Sequence, residues 1–191
     1  MKAGLRKRRI EEAEEVLTAF GLPKEQRNER AALTLLALLD LEPRKAWAEV
    51  NDPLRGVTPI MEFVAKNYGK KWAPNTRETV RRFTLHQFEQ AGLVFANPDQ
   101  PDRPTNSPYY CYQIAPEALS VIRKFGTQEW NGALRRYLVD AKTLVQTYAQ
   151  VRELRQIPLS IDTKAIKLSP GGQNELVKKI IDEFCPRFTP G

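Results

Sequence analysis

Apolar positions recur at helical spacing along most of the chain, and the runs are cut by glycine, proline and asparagine. Ile10, Val16, Leu17 and Phe20 share one face, and Gly21-Leu22-Pro23 ends that segment, because glycine accepts left-handed backbone and proline cannot continue a helix. From Asn28, a favourable N-cap, the run to Asp40 is apolar nearly all round, the pattern of a central core helix. A third helix is predicted with Thr58 as cap and Pro59 at its first position, carrying Ile60, Phe63, Val64 and Tyr68 and closing at Gly69. After the basic connection Lys70-Lys71-Trp72-Ala73-Pro74, Asn75 is expected to cap a fourth helix, with Glu78 completing a capping box; this helix runs to Ala91 and stops at Gly92.

Two helices joined by a tight turn, the second rich in Arg, Asn, Thr and Gln, make the helix-turn-helix pattern. Leu93-Val94-Phe95 then reads as a strand, Asn97 to Pro108 as a proline-stiffened loop, and Tyr109 to Ile114 as a second strand. A hairpin directly after such a helix pair is what a wing looks like. Pro116 opens a helix to about Phe125, and a longer amphipathic helix spans Thr127 to Arg155. Strands at Ile157 to Ile161 and Ala165 to Leu168 precede a helix from Gly172 to Phe184. A two-stranded ribbon with one helix buries too little apolar area to stand alone, so this closing unit reads as the opening of something larger. The expected fold class is mainly α with a small β component: a winged helix-turn-helix with additional helices, then a hairpin and helix.

Charge sharpens the picture. The 191 residues carry a formal net charge of +7, which favours an acidic partner. Between Lys66 and Arg82 stand Lys66, Lys70, Lys71, Arg77, Arg81 and Arg82 against the single acid Glu78. Lys2 and Arg6 to Arg9 form a basic leader, either an arm on phosphates or a solvated terminus, the second being favoured. Two distant cysteines, Cys111 and Cys185, read as buried thiols, and with the single histidine, His86, they offer neither a disulfide framework nor a zinc site. No nucleophile motif accompanies His86, so no catalytic residue and no metal ligand is assigned. No window approaches the roughly 18 to 20 apolar residues of a membrane span, and the amino terminus lacks a signal-like apolar region, so a cytoplasmic location is expected.

On a 100-degree wheel Val80, Thr84, Phe88 and Ala91 fall in one arc that must face the core, with Leu85 on its flank. The opposite arc holds Asn75, Thr79, Arg82 and His86, with Phe83 and Gln90 at its margin. Arginine pairs with guanine, asparagine or glutamine with adenine, and threonine or phenylalanine meets the thymine methyl, so this face suits base edges. Lys70, Lys71, Thr76, Arg77 and Arg81 are placed for phosphates, with help from free amides at the helix start. Arg103, Thr105, Asn106 and Ser107 at the hairpin tip are candidates for a groove or phosphate contact, weighed evenly against a stiff surface loop. The bland alternative is a solvated polar face balanced by ion pairs, for which only Glu78 with Arg82 is available.

Particular segments resemble the BsuBI/PstI restriction endonucleases: Leu22-Pro23 with Asn28-Glu29-Arg30, Ile60-Met61-Glu62-Phe63 with Tyr68-Gly69-Lys70, Pro74 through Arg82, and Leu85-His86-Gln87-Phe88. Asn106-Ser107, Leu168-Ser169-Pro170-Gly171 and Glu183 through Phe188 extend the match. The resemblance implies a winged-helix DNA-recognition domain over 1–155 and, over 156–191, the beginning of a PD-(D/E)xK nuclease domain. It further implies a homodimeric, magnesium-dependent enzyme of a restriction-modification system that cuts double-stranded DNA at a short palindrome, CTGCAG in the best-known relatives. The nuclease carboxylates and lysine are expected beyond Gly191, so the chain is expected to bind DNA without cutting it, and no cofactor is assigned to the chain itself. Two other readings are a winged-helix transcriptional regulator, which would not need the Ile157 to Phe188 unit, and a protein-interaction module docking through the Thr127 to Arg155 helix.

Overall fold

The structure, a computed structural model, describes residues 2–140, 157–161, 164–168 and 172–185. Helix α1 spans Lys2–Ala19 and α2 spans Glu29–Leu38. The capping expectation for α2 holds: the Asn28 side chain accepts a hydrogen bond from the Ala31 amide at 3.0 Å. Every residue from Ala31 to Leu38 is buried, and α2 is the axis on which its neighbouring helices pack. Its end is a Schellman turn, with the Leu41 amide donating to the Leu36 carbonyl at 3.0 Å and the Asp40 amide to Ala37 at 3.3 Å. Asp40 takes the left-handed position at φ +50°, and its carboxylate receives Arg55 and Lys45.

Helix α1 starts well before Ile10, and the basic leader is its first turns. Lys7 with Glu11 and Arg8 with Glu12 pair at i to i+4, which supports helix in a polar segment. Arg9 turns inward, donating to Glu12 and to the Lys45 carbonyl and lying over the Trp47 ring. That arginine is part of the packing, and the solvated-terminus reading fails for it.

Helix α3 covers Val57–Tyr68 with Gly56 ahead of it in extended backbone, so it begins before the expected Thr58 cap. Tyr68 donates its hydroxyl to the Leu41 carbonyl at 2.5 Å, tying the end of α3 to the turn after α2. The fourth helical run, α4, is continuous but not uniform: Thr76–Val80 is α-helical, Arg81–Leu85 is a π segment and His86–Gln90 returns to α.

Strand β1 (Val94–Ala96) pairs antiparallel with β2 (Tyr112–Ile114), Val94 opposite Ile114 and Ala96 opposite Tyr112. The second strand is shorter than the expected Tyr109 to Ile114 because the Tyr110 amide closes a turn onto Ser107 instead of entering the ladder. Arg55, just before α3, adds a bridge to the free edge: its amide donates to Tyr112 at 3.0 Å and its carbonyl accepts from Tyr112 at 2.9 Å. Helix α5 (Pro116–Ile122) follows, and α6 runs through 130–140 as far as described. It lies on its own domain: Ala133 and Tyr137 are buried, and Phe20, Tyr137, Trp130, Phe125 and Trp47 form a chain of ring contacts. The rest of the expected Thr127 to Arg155 helix lies outside the described residues.

Further on, β3 (Ile157–Ile161) and β4 (Lys164–Leu168) form a separate antiparallel pair, followed by α7, Gly172–Lys179, which passes into a π segment at Ile180–Phe184. Among the described residues the architecture is mainly helical with two small two-stranded sheets, in keeping with the expectation of a mainly α chain with a small β component. Cys111 is buried and Cys185 only partly so. Among the described residues no helix is long and apolar enough to cross a membrane.

Candidate nucleic-acid interface

The position of α4 follows from what it buries. Val80, Thr84, Leu85 and Phe88 are sealed against the core, and Ala91 packs at its margin. Thr84 is polar, and its hydroxyl is met by the Arg30 side chain at 3.2 Å. With that side fixed, Asn75, Arg82, Phe83, His86 and Gln90 point to solvent and Thr79 is half-exposed. Arg82 leaves 67% of its side chain accessible, and Phe83 is 58% exposed, an unusual setting for so large an apolar ring. The π segment widens the helix where Arg82 and Phe83 sit, and such segments are frequent at functional positions.

The turn between α3 and α4 brings the cations together. Gly69 adopts φ +74°, which favours glycine at the turn, and the Arg6 guanidinium approaches so closely that a Cβ there would stand 2.8 Å from it and push that flexible side chain aside. Arg6 therefore joins the surface of Lys70 and Lys71. No local pattern in the sequence signals this, because the approach spans more than sixty residues. Lys70 is exposed but pairs with Glu29 at 2.9 Å, while Lys71 and Arg77 are exposed and Thr76 half-exposed.

Three local expectations are corrected. Asn75 already has helical backbone, φ −67° and ψ −16°, and its side chain caps nothing. The Thr76 and Arg77 amides are not free for an anion, since they donate to the Ala73 and Pro74 carbonyls at 2.9 and 3.2 Å in the tight turn that Pro74 initiates. Glu78 does not close a capping box. It reaches forward along the helix and accepts from Arg81 Nε at 3.0 Å, from Arg81 Nη2 at 2.9 Å and from Arg82 Nε. Hydrogen bonds from Arg81 and then Arg82 hold its carboxyl well below the usual range, down to about 2.

Arg81 has a further contact, donating from Nη1 to the Thr105 carbonyl at 3.4 Å, which links α4 to the tip of the β1–β2 hairpin. Within that tip Arg103 is turned inward, with 11% of its side chain accessible. Its guanidinium holds Asp99 through both carboxylate oxygens at 3.1 and 2.6 Å, reaches Asn97 Oδ1 at 3.1 Å and touches Cys111 Sγ at 3.1 Å. Asn97 completes the lock by accepting from the Cys111 amide at 2.9 Å. Arg103 thus shapes the loop from within, and of the other tip candidates Thr105 and Asn106 are exposed and Ser107 half-exposed, beside the exposed acids Asp99 and Asp102. His86 stands opposite Gln90, ring Nε2 to amide Nε2 at 3.1 Å, with a Glu89 carboxylate oxygen 3.8 Å from its Nδ1.

The chain matches the family model described as the BsuBI/PstI restriction endonuclease HTH domain over residues 7–146. It is 50% identical over 183 residues to the type II restriction enzyme BsuBI of Bacillus subtilis, covering 95% of this chain and 58% of that one. It is 35% identical over 178 residues to the type II restriction enzyme AplI of Arthrospira platensis, covering 93% and 55%. The solved SdaI restriction endonuclease superposes with a TM-score of 0.66 at 37% identity, over 94% of this chain and 56% of that one. The chain spans little more than half the length of the relatives it matches. With half its sequence shared with BsuBI and the helix-turn-helix model spanning α1 through α6, the chain belongs to the BsuBI/PstI restriction endonuclease family.

Proposed function

We propose that this chain is the DNA-recognition part of a type II restriction endonuclease, a winged helix-turn-helix that lays the outer face of α4 in the major groove of a double-stranded target. The observation that carries the reading is the sidedness of α4: Val80, Leu85 and Phe88 are wholly buried while Asn75, Arg82, Phe83, His86 and Gln90 are presented together. Arg82 and His86 then serve as base readers with Asn75 and Thr79 beside them. Lys70, Lys71, Thr76 and Arg77 hold phosphates, as does Arg6 at the edge of the turn. The hairpin is the wing, supported by the Arg55 bridge at its edge, and offers Asn106 to the backbone or minor groove while Arg103 fixes its shape.

A short palindrome such as CTGCAG fits the family, and a two-fold target calls for two copies of the whole enzyme. We assign the magnesium-dependent hydrolysis implied by the family to a nuclease domain, with the β3–β4–α7 unit at its start. Among the described residues no three His, Cys, Asp or Glu side chains converge to hold a metal ion. A winged-helix regulator would account for α4 equally well but gives no reason for β3, β4 and α7.

Titration of a labelled CTGCAG duplex and a scrambled duplex at two salt concentrations tests the assignment. Tighter binding to the first, and an affinity that falls steeply with salt for both, is the expected result. Absence of binding to either duplex at low salt would remove the DNA reading altogether.

A further inference from the structure

We propose that Glu78 is a positioning residue that sets the posture of Arg81 and Arg82 and thereby sharpens discrimination between target and non-target DNA. The inference rests on the DNA reading above and concerns how that same surface becomes selective. Glu78 is the only acid between Lys66 and Arg82, and one carboxylate there receives three N–H groups from two arginines. It stands three residues after Asn75, where a glutamate ordinarily folds back onto the helix start, yet it extends toward the arginines.

Stability does not explain this arrangement. All three side chains are substantially exposed, and exposed ion pairs contribute little to folding. The geometry has a different effect. Holding Arg82 by Nε restrains the guanidinium of a largely exposed side chain, which lowers the ordering cost when its Nη groups meet a base edge. Arg81 becomes a fork between Glu78 and the Thr105 carbonyl, so α4 and the hairpin tip are set relative to each other before DNA arrives. The carboxylate also repels phosphates that approach from random DNA. A correct base pair offsets that repulsion through the oriented arginine, whereas a wrong one does not, which is selectivity by penalty. The lowered carboxyl keeps the charge in place across the physiological range.

The test uses the full 191-residue chain as wild type, E78Q and E78A. Each is equilibrated with a duplex pool of randomised centre. The motif that wild type enriches is then titrated against a scrambled duplex, with thermal melting run in parallel. For both variants the expected result is scrambled-duplex affinity raised about threefold or more by one fewer repelling charge, a specific-to-random ratio at least tenfold lower, and an unchanged Tm. Arginine Nε–H resonances of Arg81 and Arg82, sharp and protected in wild type, should broaden in E78Q. A ratio in either variant equal to that of wild type overturns the role of Glu78 while leaving DNA recognition standing. If wild type enriches no motif, sequence reading by this surface and the role of Glu78 fall together.

Discussion

Arg82 and Lys71 are both exposed, yet they are expected to fail differently. Arg82→Ala should cost about 1 to 3 kcal/mol on the preferred duplex and relax discrimination at one base pair. Lys71→Ala should weaken every duplex alike and lower the slope of log affinity against log salt by about 1. Competition titrations against single-base variants of the target distinguish the two, and equal losses on specific and random DNA for both substitutions would contradict the division of labour. At the same scale, carbon-detected NMR should find the Glu78 carboxyl titrating near pH 2. The sign follows from a lowered folded-state value: whatever this group contributes is present above the ordinary carboxylate range near 4.5 and is lost as pH falls toward about 2. The arginine contacts should therefore be unchanged between pH 5 and 8.

At the scale of elements, the capping of α2 gives a direct expectation. Asn28→Ala should destabilise the chain by about 1 kcal/mol, read as a lower urea midpoint, because the Ala31 amide loses its acceptor. Truncating Leu36, wholly buried in the same helix, to alanine should cost about 2 to 5 kcal/mol by the same measurement. Core periodicity made α2, α3 and the inner side of α4 legible in the sequence, since Val80, Thr84 and Phe88 had one place to go. Boundaries set by tertiary contacts were not legible. Helix α1 extends to Lys2 partly because Arg9 finds Trp47 and the Lys45 carbonyl far along the chain, and β2 stops short because Tyr110 turns back onto Ser107. The outward face of α4 was readable from spacing alone, whereas the inward turn of Arg103 depends on Asn97, Asp99 and Cys111 converging across the hairpin. Arg103→Ala should accordingly make residues 97–108 more susceptible to limited proteolysis while moving Tm little.

For the molecule as a whole, two buried phenols give stability an alkaline limit. Burial pushes the hydroxyls of Tyr68 and Tyr112 far above their ordinary range. A folded-state value raised above the unfolded one means that the contribution is complete below about pH 10 and is lost as pH rises further. Denaturant unfolding from pH 7 to 11 should thus show a plateau and then a decline, and Tyr68→Phe should soften the decline while costing about 1 kcal/mol on the plateau through loss of the bond to Leu41.

The widened turn at Arg81–Leu85 has a consequence for how such a scaffold can diversify. A π turn holds about one residue more than an α turn, so a residue removed from that stretch with a return to ordinary winding leaves the helix on either side facing nearly the same way. Asn75 and Thr79 upstream, and His86 and Gln90 downstream, would keep their common side. One codon gained or lost at this spot is absorbed locally, a route by which the outline around Arg82 and Phe83 can vary while the rest of the helix and its framework keep their places.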